Sequence, residues 1–190
     1  DPALFQSTYG ANGNYELLVP QGDRIKHYAR DNDAPNHPWH YLRSLPTGVV
    51  DPNQAQTHVP AGIAVMQGNF GSPGFFEAVV RMTPITFGQS FLAYYYFDTG
   101  QGVWIGPYPL YADGVLVTNV TGNPALIQGP YGVKGNFELL VPQGDHVTHY
   151  WRDNDDPNIP WHRAGILPTG IVYPNHAPTT APADVALFHS

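Results

Sequence analysis

The chain has no cysteine, so neither a disulfide scaffold nor a thiolate metal site can be built from it. That absence does not decide between the cytoplasm and the exterior. Charge is also scarce: 12% of the residues are charged, eight are Lys or Arg, and the net charge is -7. A polyphosphate partner would be repelled, which argues against nucleic acid. No apolar run reaches the ~18 residues of a membrane-crossing helix, so no membrane span is expected. No charged head with an apolar segment follows Asp1, and the expectation is that any signal peptide has already gone. What the 190 residues hold in quantity is Gly and Pro, 20 of each, and aromatics at 13%. This composition favours turns and short strands around one sizeable core.

The strongest internal signal is repetition. Residues Gly13–Gly48 align without a gap to Gly135–Gly170, at an offset of 122, with 25 of 36 positions identical. Such agreement at one register means duplication. Between them, Ala64, Gln67, Gly71, Gly74 and Glu77 each lie 61 residues after Ala3, Gln6, Gly10, Gly13 and Glu16. A third unit starts at Ala125, and DVALFHS at Asp184–Ser190 repeats DPALFQS at Asp1–Ser7. The chain thus reads as a single repeat domain, 1–190, with units at about 1–61, 62–122 and 123–183 and an extra first strand at 184–190.

In the first unit, alternation and turn residues predict strands at Ala3–Phe5, Asn14–Gln21, Arg24–Arg30 and Trp39–Leu45. This is an all-β antiparallel meander. Four-stranded meanders at a fixed period point to the blades of a β-propeller, where blade-on-blade packing buries both faces of each sheet. Three blades cannot close a ring of about four to eight. Either the array is longer or chains self-associate, with a neighbouring chain completing the ring.

The segments PALIQG, GNFELLVPQGD, HVTHYWRDND and PWHRAGILPTG fill the four slots of one unit. In this pattern the chain resembles the bacterial β-propeller lectins and their tectonin-like and tachylectin-like relatives. The loop RDNDxPNxPWH is longer than theirs. The resemblance implies a secreted, extracellular lectin that takes a glycan in grooves between blades. Carried over, it nominates Trp151, Arg152, Asp153, Trp161 and His162 in the third unit. In the first it nominates Tyr28, Arg30, Asp31, Trp39 and His40.

Read for their own chemistry, the recurring residues have plain structural roles beside functional ones. Glu16, Glu77 and Glu138 on a middle strand would be buried and need partners; Arg30, Arg152 and, in the second unit, Arg81 are the candidates. His27 and His149, with His40 and His162, suit either a hydrogen-bonded core or zinc. Asp31 and Asp33, and likewise Asp153 and Asp155, suit a loop that builds turns or one that holds calcium. Trp39, Trp104 and Trp161 share one slot, either packing between blades or offering an indole face to a sugar. Asn119-Val120-Thr121 fits an N-glycosylation acceptor. No nucleophile elbow, phosphate loop or triad stands out, so an enzyme is not expected. The leading reading is a carbohydrate-binding module. The alternatives are a structural or protein-interaction array that assembles head to tail without a sugar site, and a hydrolase or lyase on the same scaffold.

Overall fold

The computed structural model describes residues 1–46, 57–167 and 184–187. The first unit forms β1 (Ala3–Gln6), β2 (Tyr15–Gln21), β3 (Arg24–Arg30) and β4 (Trp39–Ser44), paired in that order as one sheet. The second forms β5 (His58–Gln67), β6 (Phe76–Pro84), β7 (Phe91–Asp98) and β8 (Val103–Pro109). A short hairpin follows, β9 (Tyr111–Ala112) and β10 (Val115–Leu116). The third unit forms β11 (Ala125–Gln128), β12 (Phe137–Gln143), β13 (His146–Arg152) and β14 (Trp161–Leu167). All pairings within the three meanders are antiparallel.

Local sequence explains the hairpins. β2 and β3 join through Gly22-Asp23, with Gly22 at φ 62°, a backbone conformation glycine adopts without a steric penalty. Gly144 repeats the turn at φ 61°. The β9–β10 turn is Asp113-Gly114, and both residues have positive φ, at 50° and 79°, as a mirror-image type I turn requires. Each outer strand pair carries a bulge at one equivalent place, beside His27, Tyr94 and His149. β9 then adds to the edge of the third sheet, running parallel to β14.

The second sheet is packed between the other two. Leu18, Ile25 and Leu45 of the first unit meet Phe76, Ala78, Val80 and Met82 on one face of β6. Val79 on its other face joins Phe137, Leu139, Val141, Tyr150 and Trp161 of the third unit. Strand β6 is therefore buried almost continuously, whereas β2 and β12 alternate. These two strands share the text ELLVPQ yet bury opposite faces. Glu16 and Leu18 are inside in β2, while Phe137, Leu139 and Val141 are inside in β12. The first strands converge, with β5 in contact with both β1 and β11.

Two expectations change. The segment expected to begin a fourth unit shows no strand over 184–187; Asp184 makes an isolated parallel bridge to Asn123, and 188–190 lie outside the described residues. Asn123 is also held by the chain's start, its side-chain amide donating to the Asp1 carboxylate at 2.6 Å. The second sheet also begins at His58, before the expected start of the second unit at about 62. Among the described residues no helix is long and apolar enough to cross a membrane.

Candidate functional site

Where the second and third sheets meet, an open groove of about 440 Å³ lies between β7, β8 and β9 on one side and β13, β14 and the loop before β14 on the other. Tyr94, Tyr96, Tyr108 and Tyr111 supply one wall. Trp161 and the Asn158-Ile159-Pro160 turn supply the other, with Arg152 at the base. Tyr108 and Tyr111 are about half exposed, and Tyr96 is stacked on Phe75 with ring centroids 5.8 Å apart.

Arg152 is 2% exposed and fully engaged. Its Nε donates to Asn154 Oδ1 at 2.7 Å and its Nη1 to the Tyr94 hydroxyl at 2.7 Å. Its guanidinium carbon lies 3.8 Å from the centre of the Phe137 ring, a cation–π stack. Glu77 Oε1 stands 3.9 Å from Nη2, and the Tyr94 hydroxyl donates to Glu77 Oε2. Burial pushes the Glu77 carboxyl up to about 7, against the opposing pull of Arg152 and of the Tyr94 hydrogen bond. Burial and the neighbouring Glu77 likewise raise the Tyr94 phenol well above its ordinary value.

The corresponding place between the first and second sheets is lined differently. Arg43, at the bulge position that Tyr108 occupies one unit later, lies over the Phe97 ring at 5.1 Å and donates to the Gly102 carbonyl. Beneath it, Trp104 Nε1 donates to His27 Nδ1 at 3.2 Å. His27 Nε2 meets Glu16 Oε2 at 2.8 Å, and Ser7 Oγ donates to Glu16 Oε1 at 3.0 Å.

The expected carboxylate partners are thus corrected. Glu16 pairs with His27, and Glu138 pairs with His149 at 2.6 Å, not with Arg30 or Arg152. The register explains it: Glu138 lies opposite Trp151, so the next residue, Arg152, points to the other face and reaches Glu77 of the preceding sheet. Arg81 donates to the Thr121 carbonyl at 3.0 Å.

The nominated residues are split by the same alternation. Arg152 and Trp161 belong to the groove, although Trp161 is only 8% exposed. Trp151 and His162 stack on each other, centroids 4.6 Å apart, on the opposite side of the third sheet. Asp113 of the β9–β10 turn holds that pair, accepting from His162 Nδ1 at 2.7 Å and from the Arg163 N–H at 2.9 Å. Tyr28, Arg30 and Trp39 share the outer face of the first sheet, while His40, paired with Ala29, points the other way.

The candidate metal carboxylates face N–H donors. Asp33 accepts from the backbones of Ala11 and Asn12, and Asp155 accepts from those of Val133 and Lys134. Asp31 and Asp153 cap their own loops by accepting from residues two and three positions on. The Ala11 N–H is the main cause of the lowered Asp33 carboxyl. Among the described residues no group of three or more His, Asp or Glu is placed to hold a metal ion.

Repetition in the sequence does not point to the four groove tyrosines. Their signal lies where the second unit departs from the others, in FLAYYYFD and in PYPLYADG, whose Asp-Gly marks the added hairpin. No protein-family model matches the chain, and no curated protein matches it.

Proposed function

We propose that the chain is a carbohydrate-binding module, its three sheets being blades of a β-propeller, and that a saccharide occupies the groove between the second and third. The groove carries the reading. Its volume of about 440 Å³ falls within the ~300–1,000 Å³ of small-ligand sites. Its walls are aromatic faces tipped with hydroxyls, which suit a ligand that is apolar on its C–H faces and polar at its rim. The convergence of β1 and β11 on β5, which in a propeller would be the strands nearest the axis, supports the blade assignment. Recognition is favoured over turnover because Glu77, the carboxylate beside Arg152, is 1% exposed behind Tyr94. An extracellular setting follows from the reading, since that is where glycans are displayed.

A glycan array followed by titration calorimetry tests it. Binding should appear for the intact chain and weaken in Tyr108→Ala. Absence of binding to any glycan, with and without calcium, overturns the reading. The two outer faces that the described residues leave uncovered favour a second reading, an interaction array without a sugar site.

A further inference from the structure

We infer that the outer face of the first sheet docks on the outer face of the third sheet of a second copy of this chain, reproducing the contact already made twice within the chain. In both internal interfaces the same side of one unit meets the same opposite side of the next. The side bearing Glu16 and His27 receives Phe76, Phe97 and Trp104; the side bearing Glu77 and Tyr94 receives Phe137, Arg152 and Trp161. Among the described residues, what remains uncovered is one of each kind. The first sheet presents Tyr15, Leu17, Arg30 and Trp39, and the third presents Glu138, Leu140 and His149.

Exposure separates positions that the duplication makes equivalent. Leu4 is 59% exposed against 7% for Leu126, and Trp39 is 45% exposed against 8% for Trp161. The polar groups fit in the same way. His149 Nε2 is engaged by Glu138, as His27 Nε2 is by Glu16. In the internal interface His27 Nδ1 takes the Trp104 indole N–H. The docked Trp39 would give its N–H to His149 Nδ1.

Arg30 and Asn32 supply an independent sign. Their equivalents Arg152 and Asn154 bond to each other at 2.7 Å beneath the second sheet. In the first sheet Arg30 Nε and Asn32 Oδ1 are both buried without a partner, and the guanidinium lies over Tyr15 at 5.3 Å. Docking brings Glu138 to Arg30 as Glu77 stands to Arg152. The contact is head to tail, so successive copies form a ring if the rotation closes.

Sedimentation equilibrium on the 190-residue chain tests this, with a cysteine pair as a second readout. The Asn69 amide reaches the Lys134 carbonyl inside the chain, and the same relation between copies joins Pro130 to Asn12. Because the chain has no cysteine of its own, the thiols of a Pro130→Cys/Asn12→Cys variant are the two introduced ones, and a link that forms when Pro130→Cys and Asn12→Cys single variants are mixed, but not in either alone, reports that contact. The expected mass exceeds the single-chain 20.9 kDa. Trp39→Ala and His149→Ala should each weaken association at least tenfold with an unchanged circular dichroism spectrum, and the cysteine pair should link chains. A single-chain mass at every concentration overturns the proposal. So does an assembly that is indifferent to both substitutions and gives no cross-link. Neither readout depends on a sugar.

Discussion

Trp104 donates its indole N–H to His27 Nδ1 at 3.2 Å across 77 residues of sequence, and that bond sets the roles around a buried carboxylate. With Nδ1 accepting, the ring proton sits on Nε2, where it faces Glu16 Oε2 at 2.8 Å. Glu16 and His27 are 2% and 0% exposed, so each depends on the other for its desolvated polar atoms. Removing the imidazole with His27→Ala leaves the carboxylate with Ser7 alone and should cost about 3–5 kcal/mol. Trp104→Phe keeps most of the ring and loses the N–H, costing about 1–2 kcal/mol. Urea unfolding of the two variants measures both. Equal, small losses would mean that the triad contributes only packing.

Glu77 makes stability depend on pH in an unusual direction. Its carboxyl is raised from 4.5 to about 7 in the folded chain, chiefly by burial. Between those values the folded state holds a proton that the unfolded state has released. Stability is therefore full below about 4.5, falls as pH rises towards about 7, and is flat above, a loss on the order of 3 kcal/mol. Glu77→Gln keeps the shape and cannot ionise, so its unfolding midpoint should be flat across this window. A wild-type midpoint that rises from pH 5 to pH 8 would contradict the assignment.

The repeated meander strands and their turns were legible in the sequence; the β9–β10 hairpin, the loss of the expected strand at 184–187 and the covering of the sheet faces were not. ELLVPQ occurs in both β2 and β12, so alternation predicts the same strand twice. Which of its faces is buried depends on whether the second sheet lies before or after it, a relation that no local pattern contains. Glu138 illustrates the consequence: its register partner is Trp151, so the adjacent Arg152 had to serve the preceding sheet. The groove was hidden for a related reason. Repeated residues draw the eye, but the groove opens where Tyr94 stands in place of His27, Tyr108 in place of Arg43, and a hairpin is added. Its chemistry lies in the differences between units.

The Asp loops make a prediction about calcium. Both oxygens of Asp33 and of Asp155 already accept backbone N–H groups, which a cation would have to displace. The melting temperature should thus be the same in chelator and in millimolar calcium, and Asp33→Asn should loosen the loop instead. A melting temperature that climbs with calcium concentration would show a folded-state site and reverse this expectation.

Groove binding and groove integrity should separate by residue. Tyr108 is 49% exposed and lines the groove. Tyr108→Ala should leave the melting temperature nearly unchanged while saccharide affinity falls about tenfold, the loss of ~1.4 kcal/mol of contact. Arg152 behaves differently. Its planar head is stacked on Phe137 at 3.8 Å while Nε and Nη1 serve Asn154 and Tyr94. Lysine keeps the charge but cannot reproduce that fork. Arg152→Lys should therefore lower stability by about 2 kcal/mol or more, with Asn154 Oδ1 left buried without its donor, and should weaken binding through the displaced Tyr94. Differential scanning fluorimetry beside calorimetric titration distinguishes the two. If Tyr108→Ala binds as tightly as the parent while Arg152→Lys merely unfolds, the groove is a seam between sheets and not a binding site.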